Sequence, residues 1–226
     1  MRDIVYIIKD DLPTTELKYS LRSVEANFPH RLVWFVGGKP DSLKPDRMLR
    51  HSQTGATKWD RIKSSMLEVV KQDELSDEFF LFNDDFFVMK PFEGEFINYV
   101  DGTLDDRINE FRLENNMNRY AQTLVAARNE LASSGFGIMN FEVHMPMLFK
   151  KAEVYEALKK CHSPQMRSIY GNVTGCEFRQ HKDVKIHQVN MVPQDADFLS
   201  TSDKSFVFGE VGMYIRKVFD KNSRFE

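Results

Sequence analysis

The stretch FFLFNDDFF, residues 79–87, places two adjacent aspartates between two aromatic runs. Residues 79–82 are an apolar run with the length of a buried strand. Asp84 and Asp85 follow at the carboxyl end of that run, where charged side chains are costly unless they are paired, hydrogen-bonded or bound to a cation. The stretch therefore predicts a core strand with an acidic site at its end.

The residues before this stretch alternate between apolar runs and helical patterns. Residues 4–8 and 32–36 are short apolar runs typical of buried strands. Residues 17–28 and 59–70 repeat their apolar positions at intervals of three and four, as amphipathic helices do. This order of strands and helices predicts an α/β fold with a mainly parallel sheet flanked by helices.

The second half of the chain is less regular in pattern. Residues 120–131 and 154–161 have helical spacing, and residues 141–149 have the character of an extended segment. Beyond residue 161 we expect an irregular C-terminal elaboration. A length of 226 residues suits one sizeable domain, so residues 1–226 are predicted to form a single unit.

Composition limits the classes of function. The chain has 31 Lys and Arg against 34 Asp and Glu, a net charge of −3, which argues against a wholly basic nucleic-acid-binding surface. Residues 1–149 contain 18 basic and 24 acidic side chains, and residues 150–226 contain 13 and 10, so the second part is the expected side for an anionic substrate. With no apolar run long enough for a membrane span or signal peptide, we expect a cytoplasmic protein.

The acidic pair has a chemical interpretation. Ligands of open α/β sheets bind beyond the carboxyl ends of the strands, which is where Asp84 and Asp85 are expected. Carboxylates there are ligands for Mg²⁺ or Mn²⁺, and such an ion would bridge to substrate phosphates. The alternative is that Asn83, Asp84 and Asp85 simply form a turn, because Asn and Asp favour turns.

Several segments carry a family resemblance. Residues 17–43, with LKYSLRSVEANFP and LVWFVGGKPDSL, and residues 75–92, LSDEFFLFNDDFFVMKPF, resemble the second conserved region of the Stealth-type sugar-phosphate transferases. Residues 143–151, VHMPMLFKK, are similar to the next conserved region, and residues 167–179, with RSIYGN and CEFR, continue it. The opening DIVYIIKDD, residues 3–11, stands in the place of the first region but departs from its usual Trp-Val-Asp-Gly wording.

The resemblance implies a GT-A-like nucleotide-sugar transferase. Residues 1–92 would hold the nucleotide, residues 93–226 would form the acceptor and catalytic part, and Asp84 and Asp85 would bind the metal. Family members transfer a sugar phosphate from a UDP-sugar to a hydroxyl group, whereas glycosyltransferases of similar fold transfer the sugar alone. The departure in the first region leaves the nucleotide and the transferred group open.

Three side chains are the candidate catalytic groups. His144 is the expected general base on the acceptor hydroxyl, because a histidine titrates near neutral pH, or else it completes the metal shell. Asp85 is counted with it because of its place in the acidic pair. Arg179 is the third, and Arg167 precedes it in the same conserved region. Both are candidates for forked contacts to phosphate oxygens.

The remaining candidates are expected to contact the nucleotide. Arg22 is included because the resemblance places its SLRS segment in the site. Lys58 begins a helix whose free N–H groups suit a phosphate. Asp3 and Tyr6 lie on the first predicted strand and are assigned to the base or the ribose.

The acceptor and the class of activity remain open at this point. A cell-surface glycan is the expected acceptor, and the alternative is a hydroxymethylated base of phage DNA, which requires a basic groove and aromatic side chains for the displaced base. A non-catalytic nucleotide-binding or sugar-binding module is an interpretation of another class. Paired aspartates also occur in metal-dependent phosphodiesterases and nucleases, which is the third alternative.

Overall fold

The computed structural model describes residues 1–9, 14–38, 40–52, 55, 57–193 and 195–226. The strands are β1 (Asp3–Ile8), β2 (Val33–Gly37), β3 (Arg47–Leu49), β4 (Glu78–Phe82), β5 (Phe86–Val88), β6 (Asn98–Val100), β7 (Met147–Lys150), β8 (Phe178–Gln180), β9 (Lys185–Ile186) and β10 (Phe198–Thr201). The helices are α1 (Thr14–Asn27), α2 (Lys58–Val69), α3 (Leu104–Leu113), α4 (Arg119–Ser133), α5 (Lys151–Lys160), α6 (Met166–Thr174), α7 (Asp203–Phe208) and α8 (Glu210–Val218).

The main sheet confirms the predicted α/β architecture. Its strand order is β3-β2-β1-β4-β7, with β1 parallel to both β2 and β4, and with β7 antiparallel to β4. Val5 is paired with Trp34 on one side and with Leu81 on the other, so β1 and β4 occupy the interior of the sheet. Their apolar residues are almost fully buried, which explains why the sequence shows continuous rather than alternating apolar runs.

Helices α1 and α2 cover the sheet as their spacing predicts. Leu17, Leu21 and Val24 of α1 are fully buried. At the start of α2, the Asp60 backbone N–H donates to Thr57 Oγ1, while the Asp60 carboxylate accepts from the Thr57 backbone N–H at 2.9 Å. This reciprocal cap fixes the first turn of α2 at the edge of the sheet where the parallel strands end.

Two smaller sheets extend the first. In one, β10 lies between β5, to which it is antiparallel, and β9, to which it is parallel. The other pairs β6 with β8 in parallel. Because β5 follows β4 after a short turn, the chain passes directly from the main sheet into the second sheet at residues 83–85.

The C-terminal part is more regular than the irregular elaboration that we expected. Helices α6, α7 and α8 and strands β8 to β10 occupy it. The extended segment expected over residues 141–149 is a strand only from Met147, because the carbonyl groups of Val143 and Met145 bond to the Arg167 guanidinium instead of to a neighbouring strand. No helix in the described part of the chain is long and apolar enough to cross a membrane.

Candidate functional site

The acidic motif forms the turn between β4 and β5. The Phe86 backbone N–H donates to the Asn83 carbonyl at 3.2 Å, which closes the turn. Since β4 lies beside β1 in the main sheet, the turn stands at the carboxyl edge of the parallel strands, where α/β folds bind ligands. The residues thus form a turn, as the simpler interpretation has it, in the place where a site is expected.

Asp85 is held by the second sheet. Its Oδ2 accepts from Ser200 Oγ at 3.3 Å and forms an ion pair with Lys185, and both side chains of that pair are only 14% exposed. Ser200 and Lys185 are register partners on β10 and β9, so the pairing of these strands delivers both donors together. The other oxygen, Asp85 Oδ1, is buried and has no hydrogen-bond partner among the described residues. Such an atom costs free energy unless a ligand reaches it.

Two further carboxyl groups adjoin Asp85. Burial, and next the charge of Asp85, raise the pKa of Asp84 to about 6. Burial, together with the charges of Asp85, Asp84 and Asp203, raises the pKa of Glu16 to about 7, against the opposing effect of a 2.8 Å hydrogen bond from Thr201 Oγ1. Like charges close together in a poorly solvated place are characteristic of functional sites.

Lys58 is the first residue of α2, at the carboxyl edge of the main sheet. Burial, and then the charges of Lys9 and Lys185, lower its pKa. Its Nζ lies 4.9 Å from the centre of the Trp59 ring. Lys9 follows directly after β1, so the carboxyl edge of the sheet brings basic as well as acidic groups together.

His144 is oriented by Asp183. The ring Nδ1 lies 2.7 Å from Asp183 Oδ2, and the His144 backbone N–H donates to Asp183 Oδ1 at 2.8 Å. Burial acts to raise the pKa of Asp183, but the hydrogen bond and charge of His144 outweigh it and keep that pKa below its ordinary value. The ring of His144 also meets the edge of Phe86, next to the acidic turn, with centroids 6.4 Å apart. A carboxylate on Nδ1 leaves Nε2 as the proton acceptor.

Arg167 lies beneath the site and not in it. The side chain is buried, and it donates to the carbonyls of Val143 and Met145 at 3.2 and 2.7 Å and to Asn83 Oδ1 at 3.3 Å. These bonds join the two residues on either side of His144 to the acidic turn. The guanidinium is thus bonded to its own chain, and its predicted fork to a phosphate stays a prediction.

Asp3 and Tyr6 are both buried in the core. Asp3 is fully buried at the opposite end of β1, where its carboxylate accepts from the Arg31 guanidinium at 2.8 and 2.7 Å and from Trp34 Nε1 at 3.0 Å. Tyr6 is also fully buried, and its hydroxyl lies 2.9 Å from Ser20 Oγ. The assignment of both residues to the base or the ribose stays a prediction.

Arg22 and Arg179 also lie apart from the acidic pair. Arg22 is 6% exposed and donates to the Glu226 carboxylate and to the Phe219 carbonyl at 2.8 Å, which links α1 to the C-terminal segment, and its predicted nucleotide contact stays a prediction. Arg179 is exposed on β8. Among the described residues no hydrogen bond or ion pair joins Arg179 to Asp84, Asp85 or His144, and its predicted catalytic role stays a prediction.

Sequence reasoning missed the groups that hold the predicted ones. Glu16, Asp183 and Lys185 are ordinary charged residues with no motif around them. Lys185 pairs with a residue 100 positions away, and Asp183 with one 39 positions away. The local sequence offers one indication of a site here: Asp183 and Lys185 lie on either side of a valine, in a segment rich in His and Lys.

The acidic pair suits a divalent ion that keeps other ligands. Asp85 Oδ1 is a buried oxygen that no residue in the described part of the chain bonds, and Asp84 is an adjacent carboxylate that burial makes costly to ionise. Within the described ranges, no group of three or more His, Cys, Asp or Glu side chains could hold a metal by itself. The donor set therefore fits Mg²⁺ or Mn²⁺ bound through one or two carboxylates, water and substrate phosphates.

Comparison with known proteins gives the fold. No protein-family model and no curated protein matches the sequence. Among solved structures, the chain is similar to the galactosyltransferase LgtC, which was crystallised in complex with donor and acceptor sugar analogues. The TM-score is 0.54 with 9% sequence identity over 99% of this chain and 97% of that one. The chain therefore has a GT-A-like α/β fold, with a mostly parallel central sheet flanked by helices.

Proposed function

We propose that this chain is a transferase that moves a hexose or a hexose phosphate from a nucleotide sugar, UDP-linked, to a hydroxyl group of a glycan. The observation that carries the proposal is the convergence of Asp84, Asp85 and the His144–Asp183 pair at the carboxyl edge of a GT-A-like sheet. The similarity in fold to a galactosyltransferase that was crystallised with donor and acceptor sugar analogues also supports a role in sugar transfer. The Stealth resemblance favours transfer of the sugar phosphate.

The two parts of the chain divide the proposed work. Residues 1–92 supply the acidic turn and Lys58 for the donor, and residues 93–226 supply His144 and Asp183 for the acceptor. Asp84 and Asp85 would hold Mg²⁺ or Mn²⁺, which when bound neutralises negative charge on the donor phosphates. Lys185 fixes Asp85 through Oδ2, so the free Oδ1 is the oxygen left for the ion.

His144 accepts the proton of the acceptor hydroxyl in this proposal. Asp183 holds the proton on Nδ1 and stabilises the imidazolium that forms, so Nε2 is the atom that takes the proton. Arg167 keeps this dyad and the turn in fixed relation, through the carbonyls of Val143 and Met145 and the side chain of Asn83. It is a positioning residue and not a catalytic one.

Mass spectrometry of the products from a panel of UDP-sugars and acceptors, with Mg²⁺ or Mn²⁺, tests the proposal. UMP as by-product indicates sugar-phosphate transfer, and UDP indicates transfer of the sugar alone. The acceptor panel includes glycans and an oligonucleotide with a hydroxymethylated base. Release of UMP with free sugar phosphate and no need for an acceptor would identify a phosphodiesterase, and binding of donor without turnover would identify a non-catalytic module.

The acidic pair is tested by Asp84→Ala/Asp85→Ala in the same assay. We expect turnover to fall to background, because the proposed ion loses both protein ligands. The matched control is Asp73→Ala/Asp77→Ala, which removes two exposed carboxylates just before β4. Full activity of the Asp84→Ala/Asp85→Ala variant, or of the native protein in EDTA, would contradict the metal assignment.

A further inference from the structure

Strand β5, which begins directly after the acidic turn, is an outer strand of the second sheet. In the described part of the chain it pairs with one strand, β10, and the Met89 N–H just beyond it donates to the Asp197 carbonyl at 2.8 Å. Because the bonding direction alternates along an antiparallel strand, Phe86 and Val88 direct their backbone groups to the other, outer edge. Both residues are only 1% exposed, so these N–H and carbonyl groups need partners inside the protein.

Side chains of helix α1 supply these partners. Ser20 Oγ donates to the Phe86 carbonyl at 2.5 Å. Ser23 Oγ accepts from the Val88 backbone N–H at 3.0 Å, and Asn27 Nδ2 donates to the Val88 carbonyl at 2.7 Å. The remaining group, the Phe86 N–H, closes the acidic turn. Helix α1 therefore bonds the outer edge of β5 as a neighbouring strand would.

The three side chains form a polar stripe on a helix that is otherwise buried by apolar residues. They stand at intervals of three and four, which places them on one face of α1. Ser20 and Ser23 are fully buried, where a hydroxyl is costly unless it is hydrogen-bonded. They are the two serines of the SLRS segment, so this part of the family resemblance coincides with contacts to β5.

The hydroxyl of Tyr6 connects this stripe to the main sheet. It lies 2.9 Å from Ser20 Oγ. Because Ser20 gives its single hydroxyl proton to the Phe86 carbonyl, Tyr6 is the donor in its bond to Ser20. A buried chain of hydrogen bonds thus runs from the central strand β1 through α1 to the residue that follows Asp85.

We infer that Ser20, Ser23 and Asn27 are positioning residues of the acidic turn, which hold β5 so that Asp84 and Asp85 stay in place for their ligand. The inference rests on the proposed function for the identity of that ligand, a divalent ion with the donor, and deepens it by naming what fixes the site. Residues behind the ligands of a metal set its affinity by orienting them. A displacement of about 1 Å is enough to impair such a site.

The double variant Ser20→Ala/Ser23→Ala tests the inference on the full chain, by hydrogen–deuterium exchange and by titration with Mn²⁺ alone. We expect the amides of residues 83–88 to exchange about tenfold faster than in the native protein, relative to those of β2, because β5 loses the partners of its outer edge. The Kd for Mn²⁺ should rise about tenfold or more.

Ser76→Ala is the matched control. Ser76 Oγ donates to the Glu78 carbonyl at 2.6 Å and accepts from the Asp3 N–H at 2.8 Å, so its loss removes bonds of the same kind at the opposite end of the sheet. It should leave the exchange of residues 83–88 and the affinity for Mn²⁺ as they are. Asn27→Ala removes one bond at a half-buried position, and it serves as the test if the double variant does not fold.

Two results would overturn the inference. One is unchanged exchange of residues 83–88 in the double variant and in Asn27→Ala, and the other is faster exchange with the native affinity for Mn²⁺. If the native protein itself binds no Mn²⁺, the metal assignment fails, and the exchange rates alone decide whether these side chains hold the turn. A chain that meets both expectations and turns over no nucleotide sugar loses only the transferase proposal.

Discussion

Arg22 belongs to the SLRS segment of the family resemblance, and its side chain has a structural role. The SLRS segment that suggested a nucleotide contact directs the guanidinium to the C-terminal segment, where it bonds Glu226, Asn222 and the carbonyls of Phe219 and Asp220. These hydrogen bonds lower the pKa of Glu226 to about 2. The motif therefore fixes the end of the described chain against α1.

Replacing Arg22 should destabilise the fold and not the donor complex. We expect Arg22→Ala to lower the free energy of unfolding by about 1–3 kcal/mol, since it removes a buried guanidinium and its hydrogen bonds, while Glu226 keeps Lys18 and the Ser223 backbone N–H as partners. Urea denaturation followed by circular dichroism measures the loss. Lys18→Ala removes a more exposed partner of the same Glu226 and should cost less than about 1 kcal/mol. If Arg22→Lys kept the stability of the native protein but raised the KM for the donor, that result would support the predicted nucleotide contact of Arg22 instead.

Asp183 is the residue whose replacement tests the histidine dyad. An Asn at this position presents an amide N–H to Nδ1 in place of a carboxylate oxygen, which favours the wrong tautomer of His144. We expect Asp183→Asn to lower kcat by about 10²–10⁴ while the KM for the donor changes little. Steady-state kinetics of Asp183→Asn and of the native protein measure both constants. Asp101 accepts a hydrogen bond from the Asp183 backbone N–H and does not bond the His144 ring, so Asp101→Asn should lower kcat less.

Glu16 makes stability depend on pH. Its pKa is raised from the ordinary value to about 7, chiefly by burial, so the folded state holds this proton more tightly than the unfolded state. Between about pH 4.5 and 7 the contribution of this group to stability therefore falls as the pH rises. Glu16→Gln removes the effect.

We expect the stability of Glu16→Gln relative to the native protein to be higher at pH 8 than at pH 5 by about 1–2 kcal/mol, less than the full shift implies because water reaches part of the side chain. Urea unfolding in EDTA at the two pH values measures it. Glu156→Gln, on the exposed face of α5, is the control. An equal difference at both pH values would contradict the prediction.

Among the strands and helices, the sequence predicts those whose formation depends on residues close together in the chain. The buried strands β1, β2 and β4 and the cap of α2 by Thr57 follow from local patterns. The direction of β5 and the short β9 depend on pairing with β10, far along the chain. The same holds for the site: Asp85 and His144 stand in recognisable motifs, but Lys185 and Asp183, which hold them, are found only by the fold.

Helices α7 and α8 depend on a close approach that only a glycine allows. A Cβ at position 212 would stand 1.7 Å from the Phe206 carbonyl oxygen, which also accepts a hydrogen bond from Arg216. Because the obstacle is backbone, α8 must shift away from α7. We expect Gly212→Ala to lower the free energy of unfolding by about 1–3 kcal/mol in urea denaturation. Lys217→Ala, on the exposed side of α8, should change it by less than about 0.5 kcal/mol, and equal values would contradict the packing.

At the scale of the whole molecule, the net charge of −3 conceals an acidic first part, residues 1–149, and a more basic second part, residues 150–226. The phenylalanines at 79, 80, 82, 86 and 87 flank Asp84 and Asp85 in the sequence and are buried in three different hydrophobic clusters. Their burial stabilises the fold, but it also withdraws water from the carboxylates that the proposed function needs. The site is therefore held at some cost to the stability of the chain, as is common where function requires charge.

Asp84→Asn should accordingly stabilise the protein and inactivate it. At pH 8 Asp84 is ionised, and since burial and Asp85 raise its pKa to about 6, the charged form is less favourable in the folded than in the unfolded chain. The neutral amide removes this penalty, so we expect the free energy of unfolding at pH 8 in EDTA to rise by about 1–2 kcal/mol, and by less at pH 4, where the native carboxyl is protonated in the folded state. Asp73→Asn, an exposed change, should leave the stability at both pH values as it is. Turnover of the donor should fall to background in Asp84→Asn, and a variant less stable than the native protein at pH 8 would show instead that Asp84 contributes to folding through contacts that outweigh its buried charge.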